Sequence, residues 1–339
     1  MTTRTQEIFR KLYESDEMSK LKRLQAIMRS YLASKRANSA KYGCYEFKDF
    51  QETGEGDFTS DFVDSVISRY GPYKYEKQNK ERSSERNIIF KGKFLQENGA
   101  QYQGEYDEEA DVRHGMGTMI WKDGSRYDGY WLNDKVNGPG RLIMANGDLY
   151  EGDWVCDRAN GFGHYIHYRG TEYEGEWQND LQHGNGTEKW PDGSTYTGSF
   201  RLGKKNGFGK FEWIDGSKYE GEFKNNNMEG KGVYSWSDGR TYNGQWEQGR
   251  MHGYGVFDWE DGRKYEGEYE FDAKSGNGTF YWQDGRQYDG QWKNGKQHGR
   301  GIYTTAEGEK REGIWRDGKR YFNWFWSQHG HKGQAFRAK

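Results

Sequence analysis

Residues 173–195 read YEGEWQNDLQHGNGTEKWPDGST, and a stretch of this design recurs at a fixed interval along the chain. Aligned on it, a tyrosine falls at Tyr127, Tyr150, Tyr173, Tyr196, Tyr219, Tyr242, Tyr265 and Tyr288, each 23 residues after the last. A period in this range marks a stacked repeat array. Within each period the informative side chains alternate. Gly175, Gly221 and Gly267 stand two places after the tyrosine, and Trp177, Phe223, Tyr269 and Trp292 two places further on. Later in the period come glycine pairs such as Gly184 and Gly186 or Gly253 and Gly255, followed at steps of two by Phe211, Tyr234, Phe257 or Phe280 and then by Trp190, Trp213, Trp236, Trp259 or Trp282.

Alternation at period two is a strand signal, because successive side chains of a pleated strand point to opposite faces. Each period therefore predicts two strands. Asp-Gly pairs at Asp123-Gly124, Asp192-Gly193, Asp215-Gly216, Asp238-Gly239, Asp261-Gly262 and Asp284-Gly285, with Asn146-Gly147, supply the positive φ angles of tight hairpin turns. One face then alternates large rings with glycine, so a ring from one strand is expected to lie over the missing side chain of its neighbour. The glycines are read as seats for rings as well as turn formers.

This pattern, Y-x-G-x-W, then H-G-x-G, then D-G on a 23-residue step, resembles the MORN repeat family. The resemblance covers residues 102–315, as nine full units with a trailing half. The first unit is stretched, Tyr102 to Tyr127 being 25 residues, and residues 89–101, containing Phe90, Gly92 and Phe94, look like a degenerate leading half-repeat. At the trailing end Arg311 stands where tyrosine is usual. The expected fold is mainly β: an elongated single-layer antiparallel sheet of repeated hairpins, with a helical and irregular region over residues 1–88 and an aromatic C-terminal cap or tail over residues 316–339. Nine hairpins at two strands each predict a length on the order of 80 to 90 Å.

Composition agrees with a single layer. Mean hydropathy is −1.27, yet aromatic residues make up 17% of the chain. Rings and glycine thus do the packing that aliphatic residues do in a two-layer core, and a disordered chain would be poor in rings. Two cysteines, Cys44 and Cys156, provide no disulfide framework, which points to a reducing compartment. No apolar run approaches the roughly 18 residues of a spanning helix, and MTTRTQEIFRKLYE lacks the apolar core of a secretory signal. A cytoplasmic protein is expected.

In the N-terminal region, Leu21, Leu24, Ile27, Met28, Tyr31 and Leu32 lie at helical steps, and residues 20–41 carry seven basic and no acidic side chains. Residues 20–36 resemble an IQ motif through Leu24, Gln25, Ile27, Met28, Arg29, Leu32, Lys35 and Arg36. They depart from it at Ser30, where glycine is usual, and at Ser34, where a basic residue is expected. The resemblance implies calmodulin or an EF-hand light chain as partner. A basic amphipathic helix also suits an anionic membrane surface, or can cover the sheet itself. Residues 59–69 predict a second, short helix with Phe62, Val63, Val66 and Ile67 on its apolar side, ending before Gly71-Pro72. At the other end, Tyr321, Phe322, Trp324, Phe325 and Trp326 form an aromatic cluster, read as a cap on the last strand or as a docking site.

Catalytic chemistry finds no foothold. His114, His183, His252 and His298 occupy one slot in different units, too far apart to share a metal ion, and are assigned to turn and ring packing. No glycine pair leads into a phosphate-binding loop. The acidic residues are serial rather than paired: Glu151, Glu174, Glu220, Glu266 and Asp289 beside the leading tyrosine, with Asp153, Glu176, Glu222 and Glu268 two places on. They read as a solvated ladder on the polar face, which disfavours anionic lipid and nucleic acid along the array. Net charge is −2, with Arg201, Lys204, Lys205 and Lys210 as a local basic cluster. The resemblance implies no cofactor, no metal and no catalysis, but a structural scaffold in a cytoskeletal assembly, similar to MORN proteins of the ciliary axoneme and radial spoke head. A membrane-associated adaptor, or an accessory module of a lipid kinase or methyltransferase complex, are the alternatives.

Overall fold

A computed structural model describes residues 61–75, 86–96 and 98–323. The chain divides into two compact units, Met1–Gly161 and Phe162–Lys339. In the first unit a helix, α1 (Asp61–Tyr70), is followed by β1 (Ile88–Leu95), β2 (Gln101–Asp107), β3 (Val112–Ile120), β4 (Arg126–Leu132), β5 (Lys135–Ile143) and β6 (Leu149–Val155), while β7 (Arg158–Ile166) spans the division. From β1 to β6 each strand pairs antiparallel with the next. In the second unit strands of seven and nine residues alternate, from Glu172–Gln178 and Leu181–Lys189 to Lys310–Arg316, with Lys319–Asn323 last. These too pair antiparallel in chain order. The protein is thus mainly β, an open antiparallel array of hairpins as its periodicity predicts.

One repeat displays the forces that build them all. Tyr219 is fully buried. Its ring lies across Gly221 on its own strand and Gly232 opposite, which pair in register. A Cβ on Gly221 would fall 2.5 Å from the Gly232 Cα and 2.6 Å from the Tyr219 hydroxyl, and one on Gly232 would overlap the same ring. The ring-seat reading therefore holds. The Tyr219 hydroxyl donates to the Glu222 carbonyl at 3.0 Å; Tyr173, Tyr196, Tyr242, Tyr265 and Tyr288 do the same three residues ahead. Between Gly221 and Phe223 the pairing steps from Gly232 to Met228, so the partner strand bulges. Gly230, at φ 62°, makes that bulge. The two glycines of G-x-G thus have separate causes, backbone conformation for the first and ring contact for the second.

The bulge also reassigns one acidic row. Glu222 Oε1 accepts from the Lys231 amide at 3.0 Å. Glu176 serves Asn185 at 2.8 Å and Glu268 serves Asn277 at 3.1 Å. Gln245 and Gln291 do so for Tyr254 and Arg300 at 2.8 and 3.0 Å. The ladder of Glu176, Glu222 and Glu268 is therefore not merely solvated: each side chain satisfies a backbone amide at the bulge, and a glutamine oxygen does the work equally well.

Two turn types alternate, and one of them carries a constant sequence signature. At its Asp-Gly sites only the glycine has positive φ, as at Gly216 (83°), and Gly216 N donates to the Trp213 carbonyl at 2.9 Å. The other joint is a two-residue turn with both φ angles positive, as at Asn179-Asp180 (50° and 67°), Asn225-Asn226 (50° and 77°) and Phe271-Asp272 (46° and 71°). Phe271 is not a turn former. Its neighbour supplies the reason it is held: Asp272 Oδ1 accepts from the Met251 amide at 2.9 Å, and Asn226 Oδ1 from Lys205 at 2.6 Å. Each turn is fastened to the hairpin before it.

The helix α1 is close to its expected span, with Val63 and Val66 buried, but Phe62 is 58% exposed. The segment after it crosses the polar face of its unit. Arg141 donates to the Gly71 carbonyl at 2.7 Å and lies over Tyr73, and the Tyr75 ring meets Tyr130 edge-on at 5.9 Å. Asp128, buried there, accepts from Thr118 at 2.6 Å and from Arg126 at 2.7 and 2.8 Å. Here too the polar face is covered rather than solvated.

The ring seat and the bulge can each be tested by substitution. Gly232→Ala should cost about 3 kcal/mol, the upper range for overpacking. Gly249→Asn, at φ 77° where a Cβ would meet nothing within 4 Å, should stay within about 1 kcal/mol. Glu222→Ala should lose about 1 kcal/mol, the net worth of one hydrogen bond, whereas Glu222→Gln should lose less than about 0.5 kcal/mol. Urea denaturation of the four variants checks both.

Candidate interaction surface

In the second unit the rings form two rows. The first is built from the leading tyrosines and the aromatics four places on: Tyr219 meets Phe223 at 5.1 Å and 90° and Trp246 at 5.4 Å and 85°, and Tyr242 meets Tyr269 at 5.3 Å and 83°. These edge-to-face contacts set the positive rim of one ring on the negative face of the next. Where tryptophan occupies the slot its indole N–H reaches the ring-seat carbonyl of the previous hairpin, as from Trp246 to Gly232 at 3.1 Å and from Trp292 to Gly278 at 2.8 Å. This row is buried.

The second row is buried only in part. Trp190, Phe211, Trp213, Tyr234, Trp236, Phe257, Trp259, Phe280 and Trp282 follow one another with centroids 4.3 to 5.6 Å apart. Phe211, Trp213, Tyr234, Phe257 and Phe280 are buried, while Trp190, Trp236, Trp259 and Trp282 are half-exposed. A strip of indole rims thus faces outward. Indoles of this kind pair a large contact area with little conformational entropy to lose, which is why they anchor protein interfaces.

Cations interrupt this strip at one slot. Nine places after the leading tyrosine the chain carries Val136, Ala159, Gln182, Lys205, Met228, Met251, Lys274 and Gln297. Lys205 sits over Trp190 at 4.8 Å and Tyr196 at 5.0 Å, and its Nζ pairs with Glu188 at 2.6 Å. Glu188 itself occupies the slot that Phe211 or Phe257 fills elsewhere. The sequence groups Lys205 with Arg201, Lys204 and Lys210 as a basic cluster open to anions; in the structure its charge is spent on Glu188, and that of Lys210 on Glu212 at 3.0 Å. In the first unit Arg113, in the equivalent place of the stretched repeat, lies 4.2 Å over Trp131 and pairs with Asp134 at 2.7 Å.

Lys274 has the rings without the counter-ion. Its Nζ lies 4.5 Å from the centroid of Phe280, 4.9 Å from Trp259 and Tyr265, and 5.1 Å from Trp292. Among the described residues no carboxylate comes within ion-pair distance of it. Burial among the rings, with the Arg263 guanidinium nearby, pulls its ammonium down to about 8.

Of the other residues singled out by sequence, Leu24, Gln25, Ile27, Met28, Arg29, Leu32, Lys35 and Arg36 lie outside the described residues, as do Trp324, Phe325 and Trp326. Tyr321 and Phe322 belong to the last strand, Phe322 pairing with Ile314, and Tyr321 is 61% exposed. His252 packs on Phe271 at 4.7 Å and reaches Glu247 at 3.2 Å, which is ring and turn packing as read. No group of three or more metal-ligating side chains is assembled among the described residues. Neither lysine slot stands out in the period-two pattern; the signal that could reveal it is a cation, twice, at a position otherwise apolar or amide.

With the hairpins laid out, the MORN repeat family matches at residues 102–126, 127–149, 150–172, 173–195, 196–218, 219–239, 242–262, 265–285 and 288–310, more than half of the chain. The chain belongs to the MORN-repeat family. MORN repeats of this kind form protein-binding or membrane-binding modules. A search of curated proteins finds no match. Among solved structures, the TCP domain of SAS-4 from Drosophila melanogaster, in complex with a proline-rich motif of Ana2, is 11% identical over 57% of this chain and 96% of that one, with a TM-score of 0.29. The TCP10 domain of CPAP from Danio rerio is 12% identical over 67% and 95%, at 0.23. A catalytically inactive virginiamycin B lyase from Staphylococcus aureus is 15% identical over 70% and 74%, at 0.14. Likeness at these scores supports no argument about the MORN chain.

A buried lysine without a partner costs stability, and the repeat supplies the control, since Met228 and Met251 fill the same slot. Lys274→Met should stabilise the protein by about 1–3 kcal/mol at pH 7, each unit of displacement being about 1.4 kcal/mol. The advantage should shrink as pH rises from about 8 toward the ordinary lysine range of 10.5. There the folded lysine has lost its proton while the unfolded one keeps it, so the unfolded state binds more protons and wild-type stability climbs. Denaturation of both proteins from pH 7 to 9.5 measures it.

Proposed function

We propose that this protein is a non-catalytic scaffold that binds other proteins in a cytoskeletal assembly, most closely comparable to the radial-spoke-like MORN proteins of the ciliary axoneme. The observation that carries the protein-binding part is the row of half-exposed tryptophans Trp190, Trp236, Trp259 and Trp282, in which Trp213 alone is buried. From Trp236 to Trp282 it repeats one contact chemistry over successive hairpins, which suits an extended partner. A serial surface positions; a catalytic centre needs a singular arrangement. The IQ-like segment supports the cytoskeletal part as an attachment point for calmodulin or an EF-hand light chain, and MORN proteins with such helices resemble axonemal components.

A second reading has its own observation. Seven basic and no acidic side chains over residues 20–41 suit the anionic inner leaflet, which would make the chain a membrane-associated adaptor. The serial carboxylates favour the protein reading, because they repel anionic headgroups along the array.

The full-length chain distinguishes the two. If the N-terminal segment holds a calmodulin-like lobe, Met28→Glu should abolish the complex by setting an unpaired charge against an apolar groove. Neutralising Lys35 and Arg36 should weaken it mildly and mainly at low salt. If it holds lipid, each basic residue is worth about 1 kcal/mol, and the Lys35 and Arg36 pair should matter as much as Met28. Titration with calmodulin and with phosphatidylserine vesicles, beside localisation of a tagged chain and its co-purifying proteins, checks the assignment. A chain that neither co-purifies with cytoskeletal proteins nor binds calmodulin sinks the scaffold reading.

A further inference from the structure

We propose that the tryptophan strip around Trp259 and Trp282 docks a partner polypeptide through an acidic side chain whose carboxylate pairs with Lys274. The inference rests on the protein-binding reading and names what the partner must present.

The array itself states what a cation in this slot requires. Three full repeats place a cation in this slot, at Arg113, Lys205 and Lys274, and the trailing half-unit places Arg320 there, exposed over Trp315 and donating to the Glu312 carbonyl at 2.7 Å. Arg113 is answered by Asp134 at 2.7 Å and Lys205 by Glu188 at 2.6 Å. Both carboxylates come from the chain, and in each case the ion pair lies against aromatic rings, 4.2 Å from the Trp131 centroid for Arg113 and 4.8 Å from Trp190 for Lys205. Around Lys274 the position equivalent to Glu188, seventeen places before the lysine, is Phe257, and four rings surround Nζ. Cation–π attraction partly compensates the lost hydration, but an ammonium has three donors and rings accept them weakly. The charge that acts on it is Arg263, of the same sign. Methionine in this slot would be simpler, as Met228 and Met251 demonstrate. A cation held where an apolar side chain packs better is the kind of local inconsistency that marks a functional position.

Lys274 is not fully buried, and the neighbouring Trp259 and Trp282 are half-exposed. An incoming acidic side chain would meet Nζ beside the Trp259 indole, over which Arg263 lies at 5.4 Å. The low dielectric between the rings strengthens the pair and penalises an amide in its place. Residues flanking the acid would rest on the tryptophan rims and should be apolar. The basic stretch at residues 20–41 of this chain has the wrong sign for the site.

The test uses the full-length protein as bait for a displayed library of random 12-residue peptides. The leading peptide is then synthesised with its acid intact or changed to the amide. Affinities are measured for the wild type, Lys274→Met and Lys205→Met. The expected result is enrichment of peptides with Asp or Glu beside apolar residues. Affinity should fall at least tenfold with Lys274→Met, and equally with the amide peptide, with no further loss when the two are combined. Lys205→Met, whose lysine already has Glu188, should leave binding within twofold. Because methionine fills the slot in two other repeats, Lys274→Met keeps the fold, which circular dichroism verifies. Enrichment of basic or uncharged peptides, no enrichment, or equal affinity for Lys274→Met would each overturn the proposal. So would binding of phosphatidylserine vesicles that Lys274→Met abolishes, since the site would then take a lipid phosphate. A co-purifying cytoskeletal protein that binds regardless of Lys274 overturns this inference while leaving the scaffold reading intact.

Discussion

Everything in the array depends on a tyrosine ring lying flat across two glycines. Tyr219 over Gly221 and Gly232 leaves no room for a single Cβ on either strand, so the ring and the two hydrogen atoms fix the register of the hairpin at that point. The hydroxyl then has one acceptor within reach, the carbonyl of Glu222. From that contact follows the bulge opposite, from the bulge follows a stranded amide, and from the amide follows the Glu or Gln whose oxygen satisfies it. A chain with few aliphatic residues gains its rigidity this way: each hairpin is locked internally by one ring, and coupled to the next by edge-to-face contacts and an indole N–H. Single-layer sheets lack a second layer to bury against; here the rings lying along the strands serve as that layer.

The parts of this arrangement visible in the sequence are those with a single cause. The 23-residue step, the period-two alternation and the ring seats each follow from one rule, and the hairpins follow from them. What the sequence conceals has two causes superimposed. Gly230 and Gly232 look alike in the sequence, although one needs positive φ and the other needs the absence of a side chain. Glu222 reads as solvated because it is charged and exposed, whereas its role depends on a bulge in the partner strand, which pairing alone reveals. Turns such as Phe271-Asp272 carry no local signature because Asp272 is held by the Met251 amide in the preceding hairpin. The segment after α1 covers Asp128 and Arg141 through contacts 70 residues apart in the chain, which no periodicity could anticipate.

Repetition also decides where specificity can reside. A feature present in every unit, such as the tyrosine seat, maintains the fold and cannot distinguish one partner from another. Departures confined to one unit can. Some departures are compensated within the chain. Glu188 in place of an aromatic ring and Lys205 in place of an apolar side chain cancel each other at 2.6 Å, and Arg113 is matched by Asp134. Such pairs leave the ring face electrically quiet and can be explained by packing alone. Lys274 changes one member of the same pair and leaves Phe257 where the acid would stand. Packing explains its stem, which lies along the rings, but not its charge. An uncompensated charge among otherwise apolar rings is what would give a serial surface one address, and the proposed scaffold role needs such a position to hold a particular partner at a particular hairpin.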